Sequence, residues 1–131
     1  MKFDIVNNFE ITEGYKSDTL SATTFEGASV DHKKGPCSAF ILNCGTFATS
    51  LSMKLQYSEN NSDWTDEPDT SLGNDTTKSL TAAGTITLNC PNPRGRYTRA
   101  LITSGGANEA CLINVCGPKR FVAEGATTII T

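Results

Sequence analysis

The sequence predicts an all-β fold, an antiparallel β-sandwich or jelly roll of seven to eight strands. Charged residues make up only 19% of the 131 residues, and threonine, serine, asparagine and glycine are abundant, which is typical of strands and turns. Short runs of strand-forming residues alternate with turn residues such as Gly35-Pro36, Pro91-Asn92-Pro93 and Gly105-Gly106. The length fits a single domain.

Seven runs are predicted to form strands: 19–24, 28–32, 38–43, 51–58, 85–90, 96–103 and 110–116. The clearest is the fourth, where every second residue from Leu51 to Tyr57 is apolar and the intervening residues are polar. The fifth run repeats this alternation. Two half-buried sheets that face each other would satisfy both strands, as in a sandwich or jelly roll.

The chain is expected to divide into three segments: an N-terminal arm or first strand at 1–18, a β-sandwich domain at 19–118, and a C-terminal strand or arm at 119–131. The first segment contains Phe3, Ile5 and Phe9 among polar neighbours. Because disordered tails are poor in aromatic residues, this segment is expected to dock on its own domain or on a neighbour. The last segment contains Phe121 and ends in a β-prone run, and the sequence leaves strand and arm equally open.

A polar stretch at 62–84 is predicted to form a long surface loop. Compact domains seldom carry structureless loops longer than about 12 to 15 residues unless the loop is functional, so this stretch is a candidate contact surface. The residues before it predict a polar turn that closes a hairpin. Trp64 follows the turn, and it is expected either to pack back over the strand that carries Tyr57 or to form an exposed binding platform.

The sequence contains no recognisable catalytic or metal-binding pattern, and a non-enzymatic protein without cofactor or metal is expected. The one histidine, His32, lies in a strand-like run and is expected to be a solvated strand residue. The five cysteines are an odd number, without a CxxC spacing and without an export signal, which favours buried free thiols over disulfides or zinc ligands. Gly105-Gly106 lacks the context of a phosphate-binding loop.

Charge and hydropathy limit the classes of partner. The formal net charge is −3 with both signs interspersed, so the chain lacks the basic field of a nucleic-acid-binding protein. No apolar run approaches the roughly 20 residues needed to cross a bilayer, and the N-terminus does not resemble a signal peptide. We therefore expect no direct nucleic-acid or membrane partner, and synthesis in the cytoplasm. A basic set is expected either to meet an acidic partner or to lie in solvent at strand ends: Arg94, Arg96, Arg99, Lys119 and Arg120.

Two motifs in order carry a resemblance to a protein family. The segment 55–66 (LQYSENNSDWTD) is followed by 94–103 (RGRYTRALIT) and then by Gly105-Gly106. This combination resembles the small tailed-phage capsid decoration or cement proteins, over residues 38–118. The chain departs from that pattern in its cysteine content and its long N-terminal segment.

The resemblance implies a β-sandwich or jelly-roll subunit on the virion surface that covers and stabilises the major capsid lattice. The major capsid protein would be its partner, and a homo-oligomer, with a trimer favoured, its assembly state. Candidate interface residues are Phe3, Ile5, Phe9, Trp64, Arg94, Arg96, Arg99, Arg120 and Phe121.

Three alternatives stay open. A carbohydrate-binding or fibre-tip module would use Trp64 and Tyr57 as a sugar platform. A tail tube, adaptor or terminator subunit would keep the virion location and change the assembly. An extracellular immunoglobulin-like domain ranks last, because it would need export and paired cysteines.

Overall fold

The structure, a computed structural model, describes residues 8–68 and 76–118 and shows an all-β fold with two antiparallel sheets. The strands are β1 Glu10–Thr19, β2 Thr24–Glu26, β3 Val30–Asp31, β4 Cys37–Thr46, β5 Leu51–Ser58, β6 Thr65–Asp66, β7 Thr77–Leu80, β8 Gly84–Cys90, β9 Tyr97–Ser104 and β10 Glu109–Gly117. Within this described part, no helix is long and apolar enough to cross a lipid bilayer.

The strand order is that of a jelly roll. One sheet has the order β1-β10-β4-β8, and the other has β2-β9-β5-β6, with β3 paired to β9 and β7 paired to β5. β2 and β3 lie along the same edge of β9, and β6 and β7 lie along the same edge of β5, so each pair acts as one interrupted strand. Counted in this way, eight strands form two four-stranded layers, and the predicted fold class is confirmed.

The core lies between the two layers and is built from alternate residues of their strands. In β5, Leu51, Met53 and Leu55 are at most 1% exposed, and from β4 and β8 Phe40 and Leu88 are fully buried against them. The predicted alternation is observed over 51–56 and 85–90, and it fails at the end of β5, where Ser58 is buried and Tyr57 is only partly buried. Burial of the apolar side chains stabilises the fold by about 25 cal/mol per Å² removed from water.

One predicted strand was wrong. Residues 20–23 lie between strands, because the chain leaves β1 at Thr19 and enters β2 at Thr24; Leu20 is buried, and its amide donates to the Asn108 carbonyl at 2.8 Å. Strand β1 occupies Glu10–Thr19, so all but its last residue lies in segment 1–18, which was left open as an arm or a first strand, and it pairs with β10 from Glu10↔Cys116 onward. Alternation alone did not identify this strand, because register shifts at two points interrupt its periodicity.

The polar stretch at 62–84 is not one structureless loop, because it contains β6 and β7. Its central part interrupts the edge strand opposite Leu55. The Leu55 backbone carbonyl accepts a hydrogen bond from the Glu67 amide, and the Leu55 amide donates one to the Thr76 carbonyl, each at 2.9 Å. The Thr76 hydroxyl also donates to the Glu67 carbonyl at 2.8 Å. The excursion at 67–76 thus leaves and rejoins the sheet at one point, and its residues 69–75 lie outside the described part.

Candidate protein-interaction surfaces

The hairpin between β5 and β6 positions Trp64. Asn60 organises its turn: the side-chain oxygen accepts from the amides of Ser62 and Asp63, each at 2.9 Å, and the side-chain nitrogen donates to the Asp63 carboxylate at 2.8 Å. Asn61 takes the left-handed conformation, with φ of 61°, that asparagine tolerates better than most residues. The predicted hairpin is confirmed by the pairs Gln56↔Asp66 and Tyr57↔Thr65.

Trp64 and Arg99 form one contact unit on the outer face of the second sheet. The Arg99 guanidinium carbon lies 4.3 Å from the Trp64 ring centroid, a cation–π geometry. Arg99 also donates from Nε to Gln56 Oε1 at 3.0 Å, and its Nη1 lies 3.4 Å from Glu26 Oε2. Trp64 is half-buried, and one face of its ring is occupied by arginine instead of being open.

Polar side chains extend this unit across neighbouring strands. Asp66 accepts from Gln56 Nε2 at 2.9 Å and from Lys54 Nζ at 3.1 Å. Both hydrogen bonds lower the pKa of the Asp66 carboxyl, and the bond from Gln56 has the larger effect. We call the set Glu26, Lys54, Gln56, Trp64, Asp66 and Arg99 the Trp64 patch. It carries two charges of each sign and therefore presents a mixed surface, not a basic one.

The other two described arginines of the predicted basic set also have acidic partners. Arg96 donates to both carboxylate oxygens of Asp31, at 3.1 and 2.9 Å, and its guanidinium carbon lies 4.9 Å from the Tyr97 ring centroid. Arg94 Nε lies 3.6 Å from Glu67 Oε1. Lys119 and Arg120 lie outside the described residues. The described arginines are thus paired within the chain, and they do not form a free positive surface.

Phe9 packs on its own domain. A Cβ added to Gly117 would overlap the Phe9 ring, so the ring rests directly on the backbone where β10 ends. Four other predicted interface residues lie outside the described part of the chain: Phe3, Ile5, Arg120 and Phe121.

His32 is buried, and the expectation of a solvated strand histidine was wrong. The residue is 7% exposed; its Nδ1 lies 3.2 Å from the Gly35 carbonyl and its Nε2 lies 2.9 Å from Thr98 Oγ1. A carbonyl can only accept, so in the neutral imidazole Nδ1 carries the proton and Nε2 accepts from the Thr98 hydroxyl. This pairing links the loop after β3 to β9.

All five cysteines are free thiols, as expected. Cys44, Cys90 and Cys116 are buried, and burial raises the pKa of both Cys90 and Cys116 to about 11. Protonated thiols are poor nucleophiles and poor metal ligands. Among the described residues, no group of three or more histidine, cysteine, aspartate or glutamate side chains is arranged to hold a metal ion.

The outer surface of the β1-β10-β4-β8 sheet is the second candidate surface, and it was not predicted from the sequence. Register places Ile11, Val115 and Ala39 in one row across the strands and Ile113 beside Ile41 in the next. Ile11 is 52% exposed and Ile113 is 41% exposed. We call the following set the apolar face: Ile11, Ala39, Ile41, Cys111, Ile113 and Val115.

The apolar face could not be recognised from the sequence because its members come from three strands that are far apart in the chain: one from β1, two from β4 and three from β10. Two grooves mark it: one of about 410 Å³ between β1 and β10, lined in part by Ile11, Cys111 and Ile113, and one of about 100 Å³ near the end of β10, lined in part by Phe9 and Val115.

Comparison with known proteins places the chain by fold. No family model and no curated protein matches the sequence. The SPBc2 prophage-derived protein YomS matches in structure with a TM-score of 0.52 at 10% identity, over 82% of this chain and 91% of that one. A chain of the Bacillus endospore appendages, described as a novel family of disulfide-linked pili, matches with a TM-score of 0.52 at 12% identity, over 84% and 88%. At such identities the likeness shows a shared fold alone.

Proposed function

We propose that this chain is a non-enzymatic virion structural protein that binds the outside of the major capsid lattice and stabilises it. It acts through protein–protein contact as a homo-oligomer, for which a trimer is favoured. The resemblance of segments 55–66 and 94–103 to phage decoration proteins supports this proposal, and the shared fold with a prophage-derived protein is consistent with it.

The observation that carries the proposal is the Trp64 patch. Tryptophan and arginine are the residue types most enriched among those that dominate binding energy at protein interfaces. Here Arg99 is held on the Trp64 ring by Gln56 and Glu26 before any partner arrives. A side chain that is already ordered loses less conformational entropy on binding, which leaves more of the contact energy as affinity.

The charge of the patch indicates the kind of partner surface. Lys54 and Arg99 are balanced by Glu26 and Asp66, so the patch offers paired donors and acceptors around an aromatic ring. Such a surface suits a capsid subunit with a mixed polar surface and an apolar depression for Trp64. A purely acidic capsid surface fits less well, because the described arginines are paired with carboxylates of the same chain and are not free to meet it.

Co-sedimentation with expanded capsids that lack the protein tests the proposal. Trp64→Ala and Arg99→Ala should each weaken binding by about tenfold or more, equivalent to about 1.4 kcal/mol. Thr87→Ala, an exposed position on the opposite sheet, is the matched control and should bind like the unchanged chain. A thermal melt of each variant separates loss of contact from loss of folding. Full binding by both patch variants would refute this contact surface.

The alternatives give different results in two further measurements. A Trp64-dependent signal on a glycan array would favour the carbohydrate-binding or fibre-tip function, although Arg99 already covers one face of the ring that a sugar would stack on. Hexamers in native mass spectrometry, without capsid binding, would favour a tail tube, adaptor or terminator subunit.

A further inference from the structure

The apolar face holds both of the large hydrophobic side chains that are exposed among the described residues, Ile11 and Ile113. They lie on the neighbouring strands β1 and β10. A contiguous exposed apolar surface marks a contact site more often than it stays in water. The Trp64 patch lies on the other sheet, so the apolar face needs an occupant of its own.

The charges of this sheet are confined to one edge. Strands β4 and β8 contain no charged residue, and β10 contains only Glu109, at its first position. Edge strand β1 carries the others, which are three carboxylates and one lysine: Glu10, Glu13, Asp18 and Lys16. The face therefore has an apolar centre, a charged edge at β1 and an edge of uncharged polar residues at β8, as protein interfaces have an apolar core and a polar rim.

One row of residues across the four strands shows this arrangement in full. Register places Glu13, Ile113, Ile41 and Thr87 side by side. At the Thr87 end, Lys78 reaches over from β7 of the other sheet, and its Nζ donates to the Thr87 carbonyl at 3.2 Å. From one edge to the other, the row thus presents a carboxylate, two isoleucines and an ammonium group. Such a row is complementary to its own reverse.

We propose that two copies of this chain pack through their apolar faces, about a two-fold axis that runs along the strands at the centre of the face. This axis sets β1 of one copy opposite β8 of the other, and β10 opposite β4. Ile113 of each copy then meets Ile41 of the other, and Glu13 of each copy approaches Lys78 of the other. A two-fold axis across the strands would instead set β1, with its three carboxylates, against itself, and like charges in contact disfavour that arrangement.

The dimensions of the face are those of a small specific interface. Four strands about 4.8 Å apart and about nine residues long, at about 3.3 Å per residue, cover on the order of 500 Å² on each copy. Two copies together would bury about 1,000 Å², which is near the lower limit for a specific contact. Facing sheets pack about 10 Å apart, as the layers within one sandwich do. A dimer with an affinity in the micromolar range is therefore expected.

This contact goes beyond the proposed function and does not depend on it. The Trp64 patch, on the other sheet, stays uncovered in the pair. A trimer would need a further surface, because a two-fold contact relates copies in pairs. Failure to bind capsids would therefore leave the pairing untouched, and failure to pair would leave capsid binding untouched.

Sedimentation equilibrium of the full chain, between about 1 and about 200 μM, measures the pairing. The unchanged chain should show an equilibrium between one and two chain masses within this range. Ile113→Asp places a carboxylate at the centre of the face and should raise the dissociation constant at least about tenfold. The matched control Thr103→Asp adds the same charge to an exposed position of β9, on the other sheet, and should change it less than about twofold.

Exchange of charges tests the edges of the contact. Glu13→Lys and Lys78→Glu should each raise the dissociation constant about two- to fivefold, and the double variant should return it to within about twofold of the unchanged chain. Rescue identifies a contact between copies, because within one chain Glu13 lies on edge strand β1 and Lys78 is bound to the opposite edge strand β8.

Four results would overturn the proposal. These are a monomer at every concentration, a passage from one directly to three chain masses, pairing that Ile113→Asp leaves unchanged, and a double charge variant that pairs more weakly than either single variant. A thermal melt of each variant checks its folding. If Ile113→Asp proves to be unfolded, the milder Ile113→Ser replaces it under the same criteria.

Discussion

Arg96 holds Asp31 through two parallel hydrogen bonds, from Nε at 3.1 Å and from Nη2 at 2.9 Å. Asp31 lies in β3 and Arg96 directly precedes β9, so the pair closes the end of the second sheet. The Arg96 hydrogen bond is the main cause that lowers the pKa of Asp31 from 3.8 to about 2. A bidentate pair of this kind is the strongest geometry available to a surface ion pair.

This pair predicts that the free energy of unfolding decreases at acid pH. A carboxyl whose pKa is lower in the folded state contributes stability above its unfolded pKa of 3.8 and loses that contribution as the pH falls through about 2. We expect a loss of about 1 kcal/mol, less than the full shift implies, because solvent reaches the pair. In urea unfolding, Asp31→Asn and Arg96→Gln should each make the free energy of unfolding depend less on pH between pH 4 and pH 2. If the free energy of unfolding of the unchanged chain stays constant between pH 4 and pH 2, this assignment is contradicted.

Glu67 predicts the opposite dependence on pH. It is 9% exposed, its Oε2 has no hydrogen-bond partner among the described residues, and burial raises its pKa although Arg94 opposes the shift. A raised folded pKa contributes stability below the unfolded value of 4.5, and this contribution is lost as the pH rises through the folded pKa. Glu67→Gln should therefore raise the melting temperature at pH 7 relative to the unchanged chain and leave it unchanged near pH 4.

The control for Glu67 is Glu59→Gln, which removes one carboxylate from the exposed turn of the β5–β6 hairpin. It should shift the melting temperature little at either pH. If Glu59→Gln and Glu67→Gln give the same pH profile, the effect comes from net charge and not from the burial of Glu67.

The sequence predicted the layers of the fold better than it predicted its edges. Period-two alternation is strong where one face of a strand is buried, so β5 was predicted at its observed bounds and β8 within one residue. β1 was left open as an arm or a first strand because its bulges break the alternation, and β6 and β7 were missed because each is an edge strand of two to four residues. Alternation indicates regular, half-buried strands, and these edge strands are either irregular, as β1 is, or very short, as β6 and β7 are.

The candidate surfaces depend on contacts between residues far apart in sequence. Trp64 and Arg99 were both predicted as interface residues, but nothing in their spacing shows that one stacks on the other. His32 was expected in solvent because its neighbours are polar, whereas the partner that makes burial tolerable, Thr98, lies 66 residues away. The apolar face likewise forms only when β1, β10 and β4 are brought into register.

Asn108 is predicted to be the most important polar residue in the core. It is fully buried, and its side-chain oxygen accepts from the amides of Ala48 and Thr49 at 2.7 and 3.2 Å. Its side-chain nitrogen donates to the Ser50 carbonyl at 3.1 Å and to Ser104 Oγ at 3.0 Å. Asn108→Ala should lower the free energy of unfolding by about 2 to 4 kcal/mol, because several buried groups lose their partners at once.

Urea unfolding of Asn43→Ala is the comparison for Asn108→Ala. Asn43 is exposed and makes one side-chain hydrogen bond, to Thr85 Oγ1 at 3.3 Å. Its loss should cost less than about 0.5 kcal/mol. Similar costs at the two positions would show that the Asn108 bonds are replaced by water in the variant.

Gly14, the one glycine of β1, should not tolerate a larger residue. A Cβ at this position would lie 2.7 Å from Leu112 Cγ and would also overlap Asn114 Oδ1, both on the inner face of β10. The Gly14 carbonyl accepts from the Ala28 amide at 2.8 Å, and Asn114 Nδ2 donates to the Ala28 carbonyl at 2.9 Å, so the strand cannot move away without breaking this link. We expect Gly14→Ala to cost about 1 to 3 kcal/mol in urea unfolding.

Gly45→Ala separates this steric effect from the general effect of replacing a glycine. Gly45 lies near the end of β4, is exposed, and has no atom within 4 Å of the position a Cβ would take. There the added methyl group only restricts the unfolded chain, which should stabilise the fold by up to about 0.5 kcal/mol. A cost at Gly14 with none at Gly45 would show that the close approach of β1 to Leu112 and Asn114 sets the requirement. Equal costs at both positions would mean that backbone freedom, not contact, keeps glycine in these strands.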